Sequence, residues 1–337
     1  MHYLITGHTG FKGAWLSLWL QSLGHEVSGI SLDPIPDSLF DRANVSEGLK
    51  NDFRIDIREF DEVNSALSQV NPDVVFHMAA QPLVRESYAD PRYTFETNVM
   101  GTLSLLEAVS NTPSVKAHVV VTTDKVYRNI NQVAGYVESD PLGGFDPYSS
   151  SKAMADLLTQ SWISSFPGTP TTIVRAGNVI GGGDVSKDRL MPDLISAYMN
   201  NKVPTLRYPD SVRPWQHVLD CLNGYLMVSE SLLSGHEHPM MNIGPEKESF
   251  VTVARVAELV ASQLSVEPNW NLSEASDPHE AGLLSLDASL AKSALGWHDK
   301  LKFTDSVNWT TSWYKRVYSN ENARDVTLTQ IEDFRNL

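Results

Sequence analysis

The 337-residue sequence has one cysteine, Cys221. An intrachain disulfide needs two, and a thiolate zinc site needs at least a closely spaced pair, so neither can form. Basic side chains are scarce as well: 26 Lys and Arg stand against 41 Asp and Glu, for a formal net charge of −15. That balance argues against a nucleic-acid partner, which favours a basic face, but leaves room for a locally basic pocket around an anionic substrate. Long apolar runs are missing; stretches such as 14–20 are too short to cross a bilayer. No basic-then-apolar leader precedes the first apolar run, so a cytoplasmic protein in a reducing compartment is expected. The remaining composition, 42% hydrophobic and 20% charged, is that of an ordinary globular chain, long enough for one large domain or two unequal ones.

Residues Gly7-His8-Thr9-Gly10-Phe11-Lys12-Gly13 sit between the apolar stretch 3–6 and the helix-like run 14–23. Strand, glycine turn and helix in that order build an anion site, because peptide N–H groups and the helix dipole face a pyrophosphate. Gly7 permits the tight turn, Gly10 removes a Cβ from the phosphates and Gly13 lets helix pack on strand. Strand-length runs recur at 27–32, 74–78, 117–122 and 172–175, with helical stretches at 60–70, 94–110 and 149–165. Strands alternating with helices predict an α/β fold, a doubly wound parallel (Rossmann) sheet. After Arg175 the chain becomes loop-rich and proline-punctuated, predicting a smaller C-terminal substrate-binding domain. The expected division is 1–177, with about 218–243 returning to it, and then 178–217 with 244–337; surface loops are expected at 235–239 and 267–279.

Tyr148 and Lys152 are four residues apart, hence on one face of a helix. A neighbouring cation lowers a phenol from about 10 toward the working pH, so Tyr148 could take a proton from a sugar hydroxyl. Asp124 and Lys125 follow a predicted parallel strand at its C-terminal edge, where the active sites of such sheets collect. Adjacent residues on a continuing strand face opposite sides, so both can act only if the strand ends before Asp124. Paired with each other, carboxylate and ammonium would each hold the charge state least suited to acid and base work. His77 reads as a buried strand histidine, and no metal-ligand spacing is present.

The glycine turn and Tyr-x-x-x-Lys pair, with Asn98, His77-Met78-Ala79-Ala80-Gln81 and Val121-Thr122-Thr123-Asp124-Lys125, resemble the extended short-chain dehydrogenase/reductase family over about residues 1–320. Within it, the segments GHTGFKGAWLSLWL, HMAAQPLVRESY, TNVMGT, DPYSSSK, RAGNVIGGGD, KDRL and RPWQHV are similar to the nucleotide-sugar 4,6-dehydratases of the CDP-glucose branch. The resemblance implies a redox-neutral elimination used in deoxysugar biosynthesis, including that of lipopolysaccharide O-antigen. In it Tyr148, assisted by Lys152, takes the 4-hydroxyl proton and Thr123 hydrogen-bonds that oxygen; Asp124 serves as general acid and Lys125 as base. Thr123 and Ser150 depart from the more usual serine and asparagine of these enzymes.

The resemblance further implies NAD as cofactor. It would be held by Gly7, Thr9, Gly10, Phe11, Lys12, Gly13, Asp56, Ile57, Ala79, Ala80, Gln81, Asn98, Thr122, Tyr148 and Lys152. Asp33 could chelate the ribose hydroxyls, although the usual acidic position coincides with Ser31. Gln81, Asn178, Arg189, Leu190, Arg213, Trp215 and His217 would face a nucleotide-sugar substrate, CDP-glucose by this resemblance. Guanidinium groups suit bidentate phosphate contacts, and His217 has equal claims as ligand contact and core filler. Helices near 94–110 and 149–165 would pair across a two-fold axis into a homodimer. Two other readings stand beside the lyase: a 4-epimerase or 4-ketoreductase of the same family, which needs no acid/base pair after Thr123, and a catalytically silent dinucleotide sensor.

Overall fold

The computed structural model describes residues 1–132, 134–273 and 284–337. Apolar runs of strand length become β1 (His2–Thr6), β2 (Glu26–Ser31), β4 (Val74–His77), β5 (Ala117–Val121) and β6 (Thr171–Ala176). A further strand, β3 (Asn51–Arg54), carries no apolar alternation beyond Phe53 and was not expected. It lies at the sheet edge, where only one neighbour supplies hydrogen bonds and alternate residues face solvent, so little hydrophobic signal is required of it.

The chain then forms β7 (Asn178–Ile180), β8 (Thr205–Leu206), β9 (Val212–His217), β10 (Met240–Ile243), β11 (Phe250–Thr252) and β12 (Asn271–Leu272). Seven strands make one parallel sheet in the order β10-β6-β5-β4-β1-β2-β3. The order reverses between β1 and β4, and ligands of such sheets sit in the crevice outside the strand ends at that switch. The stretch 218–243 supplies the helix Val218–Leu233 and the edge strand β10. A second sheet, β11-β9-β7, and the short pair β12-β8 stand beside the crevice.

The helix expected over 94–110 is interrupted. A short helix Pro91–Phe95 passes into a π-helical turn, Glu96–Met100, before the helix Gly101–Ser110. Such bulges rotate one side chain out of the helical register, here Asn98. The helix Phe60–Val70 has the expected limits, and the helix expected over 149–165 begins two residues earlier at Pro147, capped by Asp146. Residues 235–239 hold no regular element, and 271–272 form β12; the remainder of the loop expected at 267–279 lies from residue 274 outside the described residues.

One hydrophobic cluster runs from the large sheet into the C-terminal helices. Trp15 donates its indole N–H to the Gly182 carbonyl, and a Cβ on Gly182 would stand 2.1 Å from Trp313 Cγ. The glycine run at 181–183 is thus the close approach that seats these two tryptophans against the crevice wall. Among the described residues no helix is long and apolar enough to cross a membrane.

Candidate active site

The glycine turn sits where β1 feeds the helix Phe11–Ser22. Gly7 has φ +76°, and a Cβ there would also lie 2.8 Å from the Ala79 nitrogen, so no other residue fits without strain. A Cβ on Gly13 would stand 2.2 Å from the Gly7 carbonyl oxygen, which leaves the helix seated directly on the turn. That helix has Gly10 at its N-cap, no side-chain cap and no acidic residue in its first turn. Its first N–H groups therefore have no side-chain acceptor, and the crevice before them suits an anionic diphosphate. Thr9 shares its hydroxyl with Ser31 at 2.7 Å and donates to the Leu32 carbonyl, tying the turn to the end of β2.

The second wall is the loop after β4. Thr6 Oγ1 accepts from the Met78 and Ala79 nitrogens, both at 3.1 Å, so its proton goes to His77 Nδ1 at 2.8 Å. His77 Nε2 then donates to Thr102, which donates to the Asn98 carbonyl. Burial holds His77 well below the ordinary histidine pKa, so the ring stays neutral and the polarity of the chain is fixed. Asn98 Oδ1 accepts from the Gln81 nitrogen while Nδ2 donates to the Gln81 carbonyl and to Ser151. Gln81 in turn spends its side chain on Leu83 and Thr94. Both side chains, expected to touch ligands, instead brace the loop from behind, whereas Ala79 and Ala80 face the cleft.

β5 ends at Val121, and Asp124–Val126 forms a single 3-10 turn. The strand alternation is broken there, so both side chains of the Asp-Lys pair line the same cleft as Tyr148 and Lys152. The Thr123 hydroxyl donates to Asp124 Oδ1 at 2.9 Å and is hydrogen-bonded with the Tyr148 phenol. Lys125 Nζ donates to the same carboxylate oxygen at 3.1 Å. Asp124 is buried, with its other oxygen against Gly177, and Lys125 is one-third exposed.

Burial pushes the Tyr148 phenol above its ordinary pKa; Lys125, Thr123 and Arg189 pull it back, and Asp124 opposes them. The expectation of a phenol lowered by Lys152 is thus corrected in sign and in partner. Lys152 reaches past the ring to the Val121 carbonyl at 2.9 Å. Its own pKa is lowered to about 8 by burial and by the Lys12 ammonium, with Asp156 working the other way. Lys12, itself lowered by burial, donates to the Tyr225 hydroxyl at 2.9 Å. Thr122 donates its hydroxyl to Asp156 and presents backbone to the cleft.

These parts meet in one cleft of about 1050 Å³. Residues 3–244 match the model of the NAD dependent epimerase/dehydratase family. The chain belongs to that family. It is 41% identical to the CDP-glucose 4,6-dehydratase of Salmonella typhimurium over 98% of this chain and 95% of the relative. Its structure is similar to that of the dTDP-glucose 4,6-dehydratase of Streptomyces venezuelae solved with NAD and TYD bound, with a TM-score of 0.81 and 26% identity over 94% of this chain and 98% of the other. The UDP-glucose 4-epimerase of Thermotoga maritima, 20% identical with a TM-score of 0.83, covering 94% of this chain and 100% of its own, shares the fold.

At one end of the cleft, Asp56 is clamped by Arg58 through both carboxylate oxygens, and Ile57 is buried. Asp33 stands at the mouth, 3.4 Å from Arg54 Nε and almost fully exposed. On the opposite side, Asn178, Arg189, Leu190, Arg213 and Trp215 line the cleft, the indole donating to the Val251 carbonyl. His217 does not line it. The ring is fully buried between Trp15 and Trp309, accepts from the Leu219 nitrogen as a helix cap, and is lowered to about 3 by burial. It is a core histidine.

Sequence reading missed a buried ion pair, Arg175 with Asp156, directly under the catalytic strand end. Its signal was present: a lone guanidinium following the apolar pair Ile173-Val174, near the end of the buried strand 171–176, requires a buried counter-charge. Ser87 was missed as well; its hydroxyl accepts from the Tyr148 nitrogen at 3.1 Å. Among the described residues no cluster of His, Cys, Asp or Glu could hold a metal ion.

Proposed function

We propose that this chain is an NAD-dependent lyase, converting CDP-glucose to its 4-keto-6-deoxy derivative. The observation that carries this reading is the turn Thr123-Asp124-Lys125, which brings an acid/base pair to the same cleft as Tyr148; the similarity to the Salmonella typhimurium CDP-glucose 4,6-dehydratase supports the choice of base. A 4-epimerase or 4-ketoreductase has no use for such a pair. The uncapped helix and the Gly7–Gly13 cradle fit the diphosphate of NAD, with Thr9, Ala79, Ala80, Asp56 and Ile57 along its length. When bound, NAD supplies the hydride acceptor for C4 and the hydride later delivered to C6.

The chain's own residues move the protons. The neutral phenol of Tyr148 first gives its proton to solvent through the open cleft, a loss that the nearby Lys125 cation favours, and the phenolate then accepts the proton of the sugar 4-hydroxyl. Thr123, freed to rotate its hydroxyl from Asp124, donates to the sugar oxygen as the carbonyl forms. The 4-ketone makes the C5 hydrogen acidic; Lys125, having passed a proton to Asp124 across their 3.1 Å contact, is then the neutral amine that removes it, and Asp124 the carboxylic acid. The electron pair left at C5 expels the 6-hydroxyl, which Asp124 protonates so that it departs as water. Lys125 returns the C5 proton when C6 is reduced. Arg189 and Arg213 are assigned to the diphosphate of the substrate.

Incubation with CDP-, dTDP-, UDP- and GDP-glucose tests this. A 6-deoxy methyl resonance and a 4-keto chromophore in alkali are expected with CDP-glucose; turnover of none of the four overturns the reading. The family resemblance also suggests a homodimer through the helices around Met100, Met154 and Leu157, all half-exposed. Sedimentation checks that. We place the protein in the cytoplasm, where the free, buried Cys221 stays reduced.

A further inference from the structure

We propose that the buried Asp156–Arg175 ion pair is a positioning device for the Thr123–Lys125 turn, holding the chain on both sides of it so that water elimination stays coupled to sugar oxidation. The inference rests on the function proposed above.

Arg175, from β6, donates through Nε and Nη2 to the two oxygens of Asp156, both at 2.8 Å, and neither side chain has any exposure. Asp156 lies one helical turn beyond Lys152 on the helix Pro147–Ser165, so both face the end of β5. Upstream of the turn, Lys152 donates to the Val121 carbonyl and Thr122 donates its hydroxyl to Asp156 at 3.0 Å. Downstream, Arg175 Nη1 donates to the Tyr127 hydroxyl at 2.8 Å, its guanidinium lies 4.9 Å over the Tyr127 ring, and Tyr127 donates to Asn242 Oδ1 at 2.8 Å. Residues 122 and 127 are therefore both fixed to one ion pair, and between them lie Thr123, Asp124 and Lys125.

A charge pair without solvent is expensive, and an apolar pair of similar volume would often serve stability as well. What an apolar pair could not supply is directed hydrogen bonds to a threonine before the turn and a tyrosine after it. The groups that touch the 4-hydroxyl include Tyr148, which sits on the helix and is anchored separately through Ser87. Loosening the turn should thus disturb Asp124 and Lys125 more than Tyr148.

The test uses the full-length protein with NAD and CDP-glucose. Tyr127→Phe deletes the downstream link together with the hydrogen bond to Asn242, and Arg175→Lys keeps the charge while losing the bidentate contact. First-turnover reduction of the nicotinamide is expected to stay within about twofold. Water loss is expected to fall roughly tenfold or more, with oxidised but undehydrated sugar accumulating, because small displacements of reacting groups carry penalties of that order. Amide hydrogen exchange should quicken over residues 122–128 and not in β1. Parallel loss of both half-reactions, or unchanged exchange over 122–128, overturns the proposal. Absence of any 4-keto product from the unmodified protein overturns the underlying reading instead, and the exchange measurement then still decides whether the ion pair grips the turn.

Discussion

The Thr123 hydroxyl and the Asp124 carboxylate are 2.9 Å apart, the former donating to the latter while also meeting the Tyr148 phenol. One hydroxyl therefore joins the group assigned to oxidation with the group assigned to elimination. The two functions should still separate by mutation. Asp124→Asn and Lys125→Met are expected to lower dehydration by about 10²- to 10⁴-fold, the range for loss of a positioned acid or base. Both should retain reduction of the nicotinamide when CDP-glucose is added. Stopped-flow absorbance read against product analysis checks this, and loss of the reduction step in either variant would remove the separate assignment.

Tyr148→Phe should abolish both half-reactions together, because no proton can leave the 4-hydroxyl. The pH profile carries a second expectation. Lys152 is lowered to about 8, so the ammonium that grips the Val121 carbonyl just before the catalytic turn fades above that pH. The unmodified enzyme should lose kcat/KM on the alkaline side from about pH 8, and Lys152→Met should be slower throughout and lack that limb. An alkaline limb of unchanged position in Lys152→Met would assign it to another group.

The glycine turn and the parallel sheet were legible because both rest on local signals: Gly7 and Gly13 are fixed by backbone crowding, and the central strands are buried on both faces. β3 was not, since an edge strand needs no apolar alternation. Asp124 and Lys125 were legible as a pair through their place after a strand. The ending of β5 at Val121, which decides whether they can act together, goes with contacts from Thr122 and Tyr127 to Asp156 and Arg175, far along the chain. Asn98, Gln81 and His217 are a different case. The family resemblance offered them as ligand contacts, with His217 equally a core filler, and the side chain of each meets protein groups that the fold brings near.

Gly13→Ala places a methyl 2.2 Å from the Gly7 oxygen and 2.7 Å from the His8 Cα, both backbone. The helix must move off the turn, at a cost of about 1–3 kcal/mol for overpacking. Since those atoms form the diphosphate cradle, most of that cost should appear as weaker NAD binding, about ten- to a hundredfold, measured by titration calorimetry. Gly168→Ala, where a Cβ meets nothing and φ lies outside the left-handed region, is the control for added bulk.

Stability should fall steeply below neutrality, and the sign follows from three histidines. His77, His118 and His217 are buried and held below the ordinary value, the last two at about 3. They stay neutral in the fold, whereas the unfolded chain binds a proton on each below about 6.5. Their contribution is thus complete above pH 6.5 and is lost as pH falls, His118 and His217 at about 1.4 kcal/mol per pH unit each down to about pH 3, with His77 acting in the same direction. Asp220 works against them. Burial raises it to about 7 despite hydrogen bonds from the Lys300 and Leu301 nitrogens, so it takes up a proton in the fold first and adds about 1.4 kcal/mol per unit as pH falls from 7 toward 4. For His118, His217 and Asp220 together the expectation is a loss of about 1.4 kcal/mol per unit between pH 6 and 4, which His77 deepens. His118 is the cleanest probe, because neither ring nitrogen has a hydrogen-bond partner in the protein. Urea midpoints for the unmodified protein and His118→Phe, taken from pH 7 to 5, should show the slope in the variant reduced by about 1.4 kcal/mol per pH unit. An identical slope would mean that His118 is not among the groups whose protonation unfolds the chain.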